Sequence, residues 1–238
     1  NEFLKKSYGI VLVTGPTGSG KTTTLYSALK SLSTPDVNII TVEDPIEMVV
    51  EEFNQVGVQP QIGVDFAGCL RTLMRQDPDI IMVGEIRDKE TADNAVQAAL
   101  TGHLVFSTLH TNDAPSSVTR LLDLGVPKFL INSTVIGIVA QRLVRRICVN
   151  CRKERLLTDD EMEHLRLKPK EYKVWYGEGC TDCRSTGYKG RTAVFELLDF
   201  NEEMRSVLAR TVDITALEKA ARAGGMSTLR ESAIRKML

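Results

Sequence analysis

Between the apolar run Ile10 to Val13 and a helix-forming stretch that begins at Lys21 lies Gly15-Pro16-Thr17-Gly18-Ser19-Gly20-Lys21-Thr22, an unbroken match to G-x-x-x-x-G-K-[ST]. The motif constrains the fold strongly, because strand, glycine-rich turn and helix must follow in that order. Glycines let the backbone curl closely, so successive amide N–H groups point inward at the mouth of the helix, where an anion is favoured. Gly15, Pro16, Thr17, Gly18, Ser19 and Gly20 therefore read as a phosphate cradle for ATP or GTP. Lys21 adds a mobile positive charge, and the Thr22 hydroxyl is placed to complete the shell of a Mg²⁺ ion, with Thr23 in reserve.

At 238 residues the chain has room for one large α/β domain with an attachment, or for two small domains. Hydrophobic residues make up 42% of it, yet no apolar run approaches the roughly 20 residues that span a bilayer. Even Phe129 to Ala140 is broken by Asn132, Ser133 and Thr134. No secretory leader is read at the start. The formal charge of −1 exerts no global pull toward nucleic acid or anionic lipid. With Asn1 first and the glycine-rich loop close behind it, the chain is expected to be a piece of a longer protein.

From Ile10 to Leu109 short β-branched runs, near residues 10 to 14, 37 to 42, 80 to 83 and 104 to 108, alternate with helical patterns at Lys21 to Leu32, Asp65 to Arg75 and Thr91 to Thr101. That alternation predicts an α/β fold on a mainly parallel sheet. A further long helix is expected over Pro127 to Arg145, and two C-terminal helices over residues 201 to 209 and 214 to 223. The texture turns to cysteine, charge and glycine near Cys148. The expected organisation is a core over 1–147, a four-cysteine module over 148–192 and a C-terminal helical region over 193–238 packed on the core.

Cys148-x-x-Cys151 and Cys180-x-x-Cys183 are two knuckles separated by 28 residues. Each can offer two sulfurs to one ion, so the four predict a structural zinc site with no open coordination position. Two disulfides or inert thiols are the competing readings, disfavoured in the reducing compartment expected of a leaderless nucleotide-binding chain. Cys69, alone on a helix, reads as core.

A phosphate loop hydrolyses nothing by itself; a carboxylate must take a proton from water, and an acidic group must hold the metal's water shell. Thr41-Val42-Glu43-Asp44-Pro45-Ile46-Glu47 and the apolar strand ending in Gly84-Glu85-Ile86-Arg87-Asp88 supply strand-end acids, which face the ligand crevice in open α/β sheets. Glu85 and either Glu43 or Glu47 are the candidates, with Asp88 as a helix cap. His103 and His110 bracket the strand between them and are candidates for sensing the terminal phosphate or positioning water. Arg71, Arg75, Arg87 and Arg120 are candidate phosphate contacts. Arg142, Arg145 and Arg146 read as a partner surface, and His164 as surface.

Taken together, Gly15 to Thr22, Val42 to Glu47, Arg75-Gln76-Asp77-Pro78-Asp79, Gly84 to Asp88, Gly102-His103 and Ser107-Thr108-Leu109-His110-Thr111-Asn112 resemble the secretion ATPases of type II secretion and type IV pili. The resemblance implies a RecA-like ATPase domain carrying a zinc module and C-terminal helices, with ATP, Mg²⁺ and Zn²⁺ as cofactors. It implies that Glu85 and Thr22 support the magnesium, that Glu47 or Glu43 activates water, and that Lys21, Arg87, His103 and His110 serve the nucleotide. The paired cysteines imply an assembly or export motor, since retraction members of the family typically lack them. Also implied are a separate N-terminal domain, a homo-oligomer, as a hexamer in the full-length protein, and a cytoplasmic position peripheral to the inner membrane. The implied partners there are a platform protein and a cytoplasmic adaptor. Two other classes fit the loop: a zinc-bearing nucleic-acid motor, disfavoured by 5% aromatics and the slightly negative charge, and a small-molecule kinase, which leaves the acids and histidines without work.

Overall fold

The computed structural model describes residues 3–238. In chain order its strands and α-helices are β1 (Gly9–Thr14), α1 (Lys21–Leu32), β2 (Ile39–Glu43), β3 (Asn54–Gly57), α2 (Phe66–Leu73), β4 (Ile80–Val83), α3 (Lys89–Leu100), β5 (Leu104–Leu109), α4 (Pro115–Asp123), α5 (Lys128–Thr134), β6 (Val135–Ile147), β7 (Arg152–Leu156), α6 (Asp159–Leu165), β8 (Lys173–Gly177), β9 (Tyr188–Asp199), α7 (Glu202–Arg210), α8 (Ile214–Ala223) and α9 (Leu229–Met237). They divide into two compact units, Asn1–Gln141 with Glu196–Met226, and Arg142–Phe195 with Ser227–Leu238.

The first unit is built on a sheet of order β3-β2-β4-β5-β1-β6-β9. The pairings from β3 through to β6 are all parallel, which gives the mixed α/β architecture with a mainly parallel sheet that the alternating pattern predicts. Strands β1, β2, β4 and β5 are buried at every position, as strands covered on both faces must be. On the face toward α1, the side chains Val11, Val13, Ile39, Ile80, Met82, Leu104 and Phe106 pack with Leu25, Tyr26 and Leu29. Helix starts are set locally: Asp65 accepts from Gly68 N (2.7 Å) and Asp88 from Thr91 N (2.8 Å), each capping orphan amides of the helix that follows.

The second unit contains an antiparallel β7–β8 ladder, running from Arg152 opposite Gly177 to Leu156 opposite Lys173, together with α6 and α9.

The expected helix over Pro127 to Arg145 is corrected. Only Lys128–Thr134 is helical; from Val135 the chain is strand, with Ile10 opposite Val135 and Thr14 opposite Ala140. Val135-Ile136-Gly137-Ile138-Val139 is β-branched around a glycine, a composition poor for helix and good for a strand that has a partner ladder to join.

Gly9 opens β1 at φ 118°, and a Cβ there would lie 2.6 Å from Ile136 Cγ2 and 3.0 Å from Thr134 O. Backbone strain and overpacking together predict that Gly9→Ala destabilises the chain by about 2 to 4 kcal/mol in chemical denaturation.

Candidate active site and metal centre

Parallel pairing brings the C-terminal ends of β2, β4, β5 and β1 to one edge of the sheet in that order. Strands about 4.8 Å apart put Glu43 (the last residue of β2), Glu85 (after β4), His110 (after β5) and the loop from Gly15 (after β1) across a span of roughly 14 Å, with Glu47 four residues beyond the end of β2.

The loop is shaped by its glycines. Gly15 sits at φ 150°, where a Cβ would meet Gln141 O at 2.5 Å and Ser19 Oγ at 2.7 Å; at Gly18, φ 74°, a Cβ would meet nothing within 4 Å. Helix α1 starts from Gly20 at φ 85°, and Thr24 N donates to Gly20 O (3.1 Å), so the amides of the first turn face out of the helix end. Lys21 Nζ donates to Gly15 O (2.9 Å) and Pro16 O (3.2 Å), arching over the loop. Gln141 clamps the far side: its Nε2 donates to Ser19 O (2.7 Å) and its Oε1 accepts from Thr24 Oγ1 (2.7 Å). Ser19 Oγ is buried with no hydrogen-bond partner among the described residues. Outward amides at a helix N-terminus, a lysine and an orphaned hydroxyl make a donor-rich hollow that fits a phosphate chain.

The two acids of the Val42 to Glu47 segment differ sharply. Glu43 is 3% exposed, and both its oxygens are engaged: Oε2 accepts from Tyr26 OH (2.6 Å), and Oε1 accepts from Thr41 Oγ1 (2.6 Å) and Gln55 Nε2 (3.1 Å). Burial, and then the bond to Glu43, push the Tyr26 phenol well above its ordinary range. Glu47 is exposed and takes no part in that network. Glu85 sits between two bases: its Oε2 accepts from Arg87 Nε (2.7 Å), and its Oε1 lies 3.1 Å from His110 Nε2. Arg87 Nη1 is also 3.6 Å from Asp44 Oδ2, and its pKa is raised, first by the hydrogen bond to Glu85.

His103 is not brought to this edge. It precedes β5 while His110 follows it, and the seven steps from one to the other, at about 3.3 Å each, set the two roughly 23 Å apart. Its Nδ1 lies 2.9 Å from Ala98 O, and with Cys69, Arg71 and Arg75 it lines a different cavity of about 890 Å³. Arg71 is ion-paired with Glu90.

In the second unit Cys148, Cys151, Cys180 and Cys183 bring their sulfurs within 4.8 Å of one another, with individual separations of 3.9, 3.8 and 3.7 Å. Four sulfurs at about 2.3 Å from a shared centre would stand roughly 3.8 Å apart, so the set has the spacing of a tetrahedral metal site. Gly179 N donates to Cys151 Sγ, and Cys180 N and Gly187 N to Cys183 Sγ, at 3.2 to 3.3 Å, donors suited to metal-bound sulfur.

Gln55, Tyr26, Thr41 and Gln141 belong to these arrangements without having been read from the sequence. For Gln55 the signal is visible only once β2 and β3 are paired, because it then stands opposite Thr41, on the face that also carries Glu43.

Fold and site together define a phosphate-loop α/β protein with an attached four-cysteine centre. Over residues 1–238 the chain belongs to the Type II/IV secretion system protein family. It is 50% identical over 240 residues to the type IV pilus assembly ATPase TfpB of Acinetobacter baylyi, covering 98% of this chain and 40% of that protein. It is 51% identical over 240 residues to the type II secretion system protein E of Xanthomonas campestris pv. campestris, covering all of this chain and 42% of that protein. Among solved structures, the ADP-bound pilus retraction motor PilT superposes with a TM-score of 0.71 at 30% identity, over 99% of this chain and 59% of that one. The chain thus spans about two fifths of the length of the two curated relatives.

Tyr26→Phe removes a donor from a buried carboxylate and keeps the ring packing. It is expected to cost about 1 to 3 kcal/mol in denaturant titrations.

Proposed function

We propose that the chain is the ATPase core of a motor subunit that hydrolyses ATP to drive type IV pilus assembly or type II protein secretion. The observation that carries this reading is the convergence of the phosphate loop, Glu85 and His110 on one sheet edge, in a chain about half identical to proteins named for those tasks. In this reading the loop amides, Lys21 and Thr22 hold the phosphates. Thr22 and Glu85 would support a Mg²⁺ ion bound with the nucleotide, which would offset the negative charge of the phosphates.

For the base, the geometry favours Glu47 over Glu43. A carboxylate with both oxygens committed to buried donors is poorly placed to take a proton from water, whereas Glu47 lies exposed on the same loop. Glu47 accepts a proton from the attacking water as its oxygen bonds the γ-phosphorus, and ADP departs. His110 and Arg87, both on Glu85, orient that carboxylate and respond to charge at the phosphate end. The four cysteines hold a structural zinc ion that organises the second unit, whose short β7–β8 ladder, exposed at nearly every position, has little core of its own.

The proposed division is a core over 1–147, a zinc module over 148–192 and C-terminal helices over 193–238; the compact units differ from it in grouping Ser227–Leu238, and with it α9, with the cysteine-bearing residues. The full-length protein is taken to work as a homohexamer on the cytoplasmic face of the inner membrane, passing motion to a platform protein and a cytoplasmic adaptor.

Lys21→Ala in the full-length protein is expected to lower ATP turnover roughly 10²-fold or more and to abolish pilus extension or secretion. Persistence of both defeats the motor reading. Metal analysis of the purified protein is expected to give one zinc per chain, with four thiols becoming reactive when a chelator removes it; metal-free protein with two disulfides defeats the zinc assignment.

A further inference from the structure

The segment from Asp44 to Phe53, which bears Glu47, leaves the sheet after β2 and rejoins it at β3. The side chain of Gln55 ties it down at two backbone atoms. Gln55 Oε1 accepts from Val50 N (2.7 Å), and Gln55 Nε2 donates to Met48 O (3.0 Å). The same nitrogen lies 3.1 Å from Glu43 Oε1 and 3.1 Å from Tyr26 OH. Only the oxygen can meet an N–H, so Val50 fixes which end of the amide points to the carboxylate. Tyr26 is on α1, one and a half turns beyond Lys21. Below the polar groups Val50 and Phe53 are buried, with the Phe53 ring 6.1 Å from that of Tyr26.

One amide therefore joins three elements: the acidic loop, the strand-end carboxylate Glu43, and the helix that grows out of the phosphate loop. We infer that Gln55 is a positioning residue for the hydrolytic step, holding the Glu47 loop in register with α1 through Glu43 and Tyr26. The inference rests on the reading of Glu47 as the base. Gln55 acts through the loop: its bonds to Val50 N and Met48 O set where Glu47 stands. Near-attack geometry is lost over displacements of about 1 Å, so freeing the loop costs turnover and leaves phosphate binding intact.

The test uses the full-length protein. Gln55→Met keeps side-chain length and removes both hydrogen-bonding functions. The expected result is a fall in kcat of about 10- to 100-fold with KM for ATP and ADP affinity within about twofold of wild type. Hydrogen exchange is expected to speed up in residues 46 to 53 and not in β1 or β4. In a Glu47→Gln background, Gln55→Met is expected to lower the residual rate by less than about twofold, because both changes act on one event. Equal losses in the two backgrounds, or a rise in KM that matches the fall in kcat, overturn the inference. If Gln55→Met does not yield folded protein, Gln55→Asn serves: it keeps the amide but is one methylene too short to span loop and carboxylate, and wild-type turnover in that variant overturns the inference equally. Failure of the underlying reading is distinguishable: Glu47→Gln with undiminished kcat removes the base assignment, whereas an inactive Glu47→Gln beside an active Gln55→Met removes only the role of Gln55.

Discussion

Parallel pairing is the constraint on which the other features depend. Every strand that joins a parallel ladder delivers its C-terminal end to the same edge, so β2, β4, β5 and β1 need no further instruction to bring two acidic segments, a histidine and a phosphate-binding loop together. Chemistry at that edge follows from sheet order. Glu85 and His110 are 25 residues apart in the chain yet within hydrogen-bonding distance, because β4 and β5 are neighbours.

Such an edge tolerates a carboxylate in the interior only where donors replace water. Burying an unpaired carboxylate costs several kcal/mol, and Glu43 offsets that with hydroxyls from Tyr26 and Thr41 and an amide N–H from Gln55. The same bonds withdraw Glu43 from solvent, while Glu47, four residues on, is exposed. Two glutamates that look alike in the sequence are thereby sorted by burial into an interior and an exposed group.

Much of the first unit was legible in advance. The phosphate loop, the four strand cores from β1 to β5 that carry site residues, and helices α1, α2 and α3 are local signals: a glycine motif, β-branched runs, amphipathic spacing. The cysteine spacing likewise announced four sulfurs around one point. What was not legible depended on partners. Val135 to Arg145 reads as a continuation of helix until β1 supplies a ladder for its first residues, Val135 to Ala140. His103 and His110 are equivalent by spacing, and only the direction of β5 separates them by the length of a strand. Gln55 and Gln141 carry no local mark, since each matters for two contacts that come from distant parts of the chain.

Position 55 also has an unusual entry requirement. The side chain must accept from Val50 and donate to Met48 and Glu43 across a fixed gap. Glutamate lacks the donor, lysine lacks the acceptor, asparagine lacks the reach, and an aliphatic residue lacks both functions. Glutamine meets all three demands with one amide, so substitutions at this edge-strand position should be felt, while the exposed Val49 a few residues earlier is freer to vary.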